Sequence, residues 1–61
     1  MPLVTIKMLE GRTVEQKRKI AAEVTQTIAE TLDITADRVI IDFQHIATDD
    51  LAKAGKLISD L

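Results

Sequence analysis

One helical pattern lies between two strand patterns in a chain of only 61 residues, and this order restricts the possible folds severely. Residues 3–9 alternate in polarity and are rich in β-branched side chains, as expected of a half-buried strand. Residues 38–46 are nearly continuous in apolar side chains at their centre, which is typical of a strand covered on both faces. The pattern predicts an α/β (α+β) fold, a single β-α-β unit with two parallel strands and a right-handed crossover.

The long helix of this unit is predicted to begin after Thr13, because residues 13–16 fit a capping box. In that motif the Thr13 hydroxyl and the Gln16 side chain satisfy each other's backbone N–H groups. Apolar residues then recur at helical spacing and form one stripe: Ile20, Ala21, Val24, Ile28 and Leu32. Residues 33–37 are expected to end the helix and turn the chain, and the short C-terminal segment 51–61 has no assigned structure.

The small size of the chain predicts self-association. A domain of about 60 residues buries only ~60% of its unfolded surface, so it usually needs disulfides, a metal or oligomerisation. The sequence has no cysteine and one histidine, so neither disulfides nor a metal is expected. One helix covers one face of a two-stranded sheet and leaves the other face and both edges open. We therefore expect a single domain over residues 1–61 that a closed symmetric oligomer completes.

Composition and charge exclude several other classes. The net charge of −2 argues against a nucleic-acid partner. No apolar run approaches the ~18–20 residues of a membrane span, so no membrane partner is expected. The first residues also lack the basic segment and apolar core of a signal peptide, which predicts a cytoplasmic location.

The Met1-Pro2 start offers a chemical group that nothing else in the chain matches. A small side chain after the initiator methionine normally permits its removal, which would leave Pro2 with a free secondary amine. A free α-amino group titrates near ~7.7–8.0, so one that is partly buried or close to a cation can act as a base near neutral pH. Most Met-Pro starts are nevertheless only processed termini, and this dipeptide does not by itself establish catalysis.

Several further motifs stand at fixed distances from this start, and together they resemble the 4-oxalocrotonate tautomerase family, very short chains that begin with a catalytic proline. The matching segments are Met1-Pro2, Met8-Leu9-Glu10-Gly11-Arg12, Thr13-Val14-Glu15-Gln16-Lys17 and Ala54-Gly55-Lys56. The resemblance covers essentially the whole chain. It implies a tautomerase-like fold and an isomerase that needs no cofactor and no metal. It also implies a homohexamer, a trimer of dimers, in which each active site contains residues of more than one subunit.

The same resemblance implies roles for individual residues. Pro2 matches the general base, which takes a proton from a 2-hydroxy-dienoate or related enol carboxylate and returns one to carbon. Arg12 matches the arginine that binds a substrate carboxylate, and a solvated loop arginine is the alternative interpretation. Leu9, in the same motif, is expected to contact the substrate.

Two positions depart from the family pattern. Ile40 stands where the family has an arginine in its second strand, and Leu51 stands where it has an aromatic residue in the pocket. Arg38 is two residues before Ile40, so on a continuous strand it would point to the same face and approach the same pocket. Pairing with Asp37 or Asp42 is an equally acceptable interpretation of Arg38. Both departures favour an enol with one carboxylate, or weak activity towards a dicarboxylate.

Two other functions stay open at the level of sequence. The first is haloacrylate dehalogenation on the same fold, in which Pro2 stays protonated and Asp42 activates water. The second is an oligomerising or binding module without catalysis, which retention of Met1 would favour. The other polar candidates are most simply structural or solvated: Lys7, Lys17-Arg18-Lys19, His45 and Asp49-Asp50.

Overall fold

The computed structural model describes all 61 residues, Met1–Leu61, and contains the predicted β-α-β unit. Strand β1 spans Leu3–Leu9, helix α1 spans Val14–Leu32 and strand β2 spans Ile40–Ile46. The two strands are parallel, in a register that places Leu3 beside Ile40 and Leu9 beside Ile46. The predicted fold class is therefore confirmed.

Both ends of α1 are closed by local hydrogen bonds. At the start, the Thr13 N–H donates to Gln16 Oε1 (2.9 Å) and the Gln16 N–H donates to Thr13 Oγ1 (3.1 Å), which is the predicted capping box. At the end, Asp33 adopts the left-handed conformation with φ 55°, and its N–H reaches the carbonyls of the last turn.

No helix in the structure has both the length and the apolar character that crossing a membrane requires.

The pleat of the two strands divides their side chains between two faces, as the alternation in residues 3–9 predicted. The helix-side face carries Val4, Ile6, Met8, Ile41, Phe43 and His45. The open face carries Leu3, Thr5, Lys7, Leu9, Ile40, Asp42, Gln44 and Ile46. The apolar residues of the helix-side face are half-buried, whereas most residues of the open face are exposed.

The isolated chain has no closed hydrophobic core. None of its 61 residues is fully buried, and the molecule measures 44 × 23 × 13 Å. Leu3 is 69% exposed and Ile40 is 45% exposed at one end of the open face. Removal of such apolar surface from water stabilises a protein, but the isolated chain leaves this surface exposed.

The start of β2 corrects one sequence-based boundary. Residues Ala36–Arg38 form one turn of 3-10 helix, in which the Arg38 N–H donates to the Thr35 carbonyl (3.1 Å). The strand begins at Ile40, so the prediction that it starts at Arg38 is wrong. The backbone of this turn forms hydrogen bonds within the turn. The polarity of the residues that follow does not show where the turn ends and the strand begins.

The segment without a sequence-based assignment forms a small hairpin. Strands β3 (Ala52–Lys53) and β4 (Lys56–Leu57) pair antiparallel between two further single turns of 3-10 helix, Thr48–Asp50 and Ile58–Asp60. The two-residue turn has positive φ at both positions, 53° at Ala54 and 82° at Gly55, as a type I′ turn requires.

Candidate active site

Pro2 lies directly before β1 and is held by the sheet through its backbone. The Ile40 N–H donates to the Pro2 carbonyl at 3.0 Å, which extends the parallel ladder one residue beyond the strand. Pro2 is half-buried, whereas Met1 is 84% exposed. With Met1 in place the Pro2 nitrogen is an amide and has no basicity, so its chemistry depends on removal of an exposed residue.

Arg12 lies at the other end of β1, after a turn at Gly11 with φ 103°. Its side chain borders a groove of about 390 Å³ between β1 and the first half of α1. The lining residues are Met8, Arg12, Gln16, Lys19, Ile20 and Glu23. The groove thus combines an apolar floor with a guanidinium, a suitable arrangement for the hydrocarbon chain and carboxylate of a small organic acid.

Pro2 and Arg12 of one chain are too far apart to share a small substrate. The seven residues of β1 stand between them, and at ~3.3 Å per residue the strand alone is about 23 Å long. A site that contains both side chains therefore requires the Pro2 of one subunit and the Arg12 of another.

Arg38 lies at the Pro2 end of the sheet, because it is two residues before the Ile40 amide that binds the Pro2 carbonyl. It is exposed and belongs to the 3-10 turn, so it does not continue the strand face of Ile40 as the sequence predicted. The two ion pairs of the chain are Arg18 with Glu15 and Lys19 with Glu23, so Arg38 pairs with neither nearby aspartate.

The two apolar candidates lie towards the carboxyl end of the strands. Leu9 is half-buried at the end of β1, on the open face, and pairs with Ile46. Leu51 is 38% exposed and follows the 3-10 turn after β2, where its carbonyl accepts the Ile58 N–H at 2.8 Å. This end of the sheet is also the Arg12 end, so Leu9 and Arg12 of one chain are neighbours in space as well as in sequence.

A contact between Lys17 and His45 escaped sequence reasoning. Lys17 Nζ lies 3.3 Å from His45 Nε2 and connects α1 to the carboxyl end of β2. A lysine ammonium group can only donate, so in a hydrogen bond between these two atoms His45 Nε2 is the acceptor. Only the helix-side register of β2 would have indicated this contact, because the two residues are 28 apart in sequence.

The remaining polar candidates separate into solvated charges and an organised cluster. Arg18 pairs with Glu15 on the exposed surface of α1, which agrees with a solvated face, whereas the exposed pair of Lys19 with Glu23 borders the groove beside Arg12. Asp42 is different, because its Oδ2 accepts from Thr5 Oγ1 (3.1 Å) and Gln44 Nε2 (3.2 Å) on the open face. Asp49 and Asp50 lie in the turn after β2, and no three metal-ligating side chains come together in the chain.

Comparison with known proteins gives one consistent result. The family model described as "Tautomerase enzyme" matches residues 2–61. The chain is 43% identical to 2-hydroxymuconate tautomerase of Bacillus subtilis (strain 168), over 100% of its own length and 98% of the relative's. A crystal structure of a homologue of 4-oxalocrotonate tautomerase, 42% identical, superposes with a TM-score of 0.91 over 98% of each chain. A heterohexameric 4-oxalocrotonate tautomerase from Chloroflexus aurantiacus, 30% identical, also gives a TM-score of 0.91, over 100% of this chain and 98% of the other.

Proposed function

The chain belongs to the tautomerase family, whose members are isomerases, and from this membership we propose that it interconverts the enol and keto forms of small 2-hydroxy-dienoates or related enol carboxylates. The base is the secondary amine of Pro2 after Met1 has been removed. The observation that carries this proposal is the position of Pro2, half-buried and anchored through its carbonyl to the Ile40 amide. The base thereby has a defined place at the end of the sheet.

In the proposed reaction the neutral Pro2 amine accepts the enol hydroxyl proton. The electron pair released from the O–H bond forms the carbonyl, and the double bonds move along the carbon chain. The electron pair displaced to the distal carbon then takes a proton from the Pro2 ammonium. Base and acid are one group, so the amine returns to its starting state without a second proton donor. A general base is most effective when its pKa lies near the working pH, a condition that an α-amino group can meet.

Arg12 is proposed to bind the substrate carboxylate. A guanidinium presents two parallel N–H donors to a carboxylate, which fixes orientation as well as charge. The Met8 and Ile20 side chains in the same groove supply an apolar surface for the unsaturated carbon chain. Because β1 separates Pro2 from Arg12, the proposed site takes these two residues from different subunits, in an assembly that we expect to be a homohexamer.

The proposed substrate has one carboxylate. Ile40 offers no charge at the Pro2 end of β2, and Arg38 is displaced into the preceding turn. Leu51 gives an apolar boundary with less bulk than an aromatic ring. We therefore expect a higher kcat/KM with phenylenolpyruvate, a monoacid, than with the dicarboxylate 2-hydroxymuconate.

The decisive experiment is the Pro2→Ala variant assayed with both enols. The variant keeps a primary α-amine that lacks the ring restraint of proline and is poorly oriented, so kcat should fall by about the 10²- to 10⁴-fold that general base catalysis contributes. Thr27→Ala, on the exposed middle of α1, is the matched control and should retain activity. Wild-type turnover in Pro2→Ala would refute the mechanism, and halide release from 3-chloroacrylate by the wild-type protein would favour the dehalogenase alternative instead.

A further inference from the structure

No hydrogen bond or ion pair within the chain holds the Arg12 guanidinium. Arg12 is exposed, and it belongs to neither of the two ion pairs and to none of the side-chain hydrogen bonds. Apart from its chain neighbours, Gly11 has no atom within 4 Å of the position that a Cβ would occupy, so no packed residue restrains the loop at this point. The place of the guanidinium therefore depends on how the two ends of the loop between β1 and α1 are anchored.

Both ends of this loop are anchored to the last two residues of β2. On the strand side, the Glu10 N–H donates to the Ile46 carbonyl at 3.0 Å. On the helix side, Lys17 Nζ lies 3.3 Å from His45 Nε2. Residues 45 and 46 are consecutive, so the carboxyl end of one strand holds the chain on either side of Arg12.

Lys17 is connected to Arg12 through the first turn of α1. The Lys17 N–H donates to the Thr13 carbonyl at 3.1 Å, and Thr13 follows Arg12 directly in the chain. The capping box at Thr13 adds two further hydrogen bonds to the same turn. Lys17 is half-buried, whereas the neighbouring Arg18 is exposed, so the Lys17 side chain lies on the sheet side of the helix. A shift of this end of α1 relative to β2 would therefore move Arg12 with it.

We propose that Lys17 and His45 are positioning residues for Arg12. Their contact fixes the helix side of the loop, so that the guanidinium meets the substrate carboxylate in one orientation. The inference rests on the proposed carboxylate-binding role of Arg12. A bidentate pair between a guanidinium and a carboxylate depends on orientation as well as distance, so a small displacement of the loop weakens it. Because the two residues act through Arg12, the effect of losing them is limited to that of losing Arg12, about 10- to 150-fold in kcat/KM.

Removal of either member of the contact should weaken carboxylate binding. Lys17→Met keeps an apolar stem without the ammonium, and His45→Leu removes the acceptor. Each should raise KM for phenylenolpyruvate by about three- to tenfold, with kcat nearly unchanged because the Pro2 base is not altered. His45→Gln keeps an acceptor oxygen and should restore most of the wild-type KM. Lys53→Met, in the exposed C-terminal hairpin, is the matched control and should have the wild-type KM.

A double-variant cycle shows whether the contact acts through Arg12. In an Arg12→Ala background, Lys17→Met should cause no further rise in KM, since the guanidinium that it positions is already absent. A further rise by the same factor in that background would overturn the proposal. A lower urea midpoint with a wild-type KM in Lys17→Met and His45→Leu would also overturn it, because the contact would then serve stability alone.

Arg12→Ala by itself separates this inference from the proposed function. A raised KM in Arg12→Ala together with a wild-type KM in Lys17→Met and His45→Leu would leave the role of Arg12 intact and refute only the positioning. A wild-type KM in Arg12→Ala would refute carboxylate binding by Arg12, and the positioning inference would be refuted with it.

Discussion

Complementation between two defective chains should restore activity, because one chain cannot bring Pro2 and Arg12 to the same substrate. The perturbation is the pair of variants Pro2→Ala and Arg12→Ala, purified separately, mixed in equal amounts, unfolded and refolded together. A functional site then requires its proline from an Arg12→Ala chain and its arginine from a Pro2→Ala chain. With random assembly into a closed oligomer, each condition is met half the time, so about one quarter of the sites are intact.

The expected signal stands clearly above the background of the separate variants. Replacement of the ring-held amine of Pro2 by the flexible amine of alanine costs about 10²- to 10⁴-fold in turnover. Loss of the ionic hydrogen bonds to a carboxylate costs about 1.5–3 kcal/mol, or about 10- to 150-fold in kcat/KM. Refolded mixtures should therefore show about a quarter of the wild-type activity, whereas the mean of the two separate variants is at most about a twentieth.

The assay is the loss of enol absorbance with phenylenolpyruvate at equal total subunit concentration. The control mixes Arg12→Ala with the double variant Pro2→Ala/Arg12→Ala, a mixture in which no chain supplies an intact arginine and no activity should return. Activity of the test mixture equal to the mean of its components would refute the reasoning. It would mean that both groups act within one chain, in spite of the strand of about 23 Å between them.

Three further outcomes follow from the structure. The mature protein should be lighter than the full chain by one methionine residue in an intact-mass measurement, since exposed Met1 precedes a small residue. A peak at the full mass would mean that the Pro2 nitrogen is an amide and cannot act as the base. Thr13→Ala should lower the free energy of unfolding by about 1 kcal/mol through loss of the capping box, with Thr27→Ala as the near-neutral control, and equal midpoints in urea would contradict this assignment. Ala54→Asn should slow amide exchange in the C-terminal hairpin, because asparagine tolerates the φ of 53° at lower cost than alanine, and faster exchange would count against the turn type.

The predicted parts of the fold are those that local chemistry determines. The period-two alternation of residues 3–9 identified both faces of β1, and Thr13 with Gln16 marked the start of α1 by a reciprocal bond within four residues. The start of β2 was misplaced because the Arg38 backbone bonds back to Thr35, a contact that leaves no trace in the polarity pattern. The C-terminal hairpin was missed because alanine at Ala54 is not a usual residue for positive φ.

The candidate site was less predictable from the residues themselves. Pro2 was the one chemically distinctive group, but Arg12 was chosen by resemblance to a family and not by any property of an isolated loop arginine. The strand predicted over residues 3–9 already puts Pro2 and Arg12 at its opposite ends, whereas the proposed sharing of one site between chains came only from the resemblance. The contact of Lys17 with His45 depends on register across the helix-side face, which a single sequence does not specify.

The hydrogen bond from the Ile40 amide to the Pro2 carbonyl makes the position of the Pro2 nitrogen independent of the side chain at position 40. Proline has no side-chain rotamer to freeze, and its φ is restricted by the ring, so a nitrogen at this position is pre-organised by the backbone alone. The bond that achieves this comes from the main chain of residue 40 and is indifferent to its side chain. If the proposed mechanism holds, position 40 can carry isoleucine in place of a charged side chain, and the class of acid bound can change with it, while the Pro2 nitrogen keeps its place.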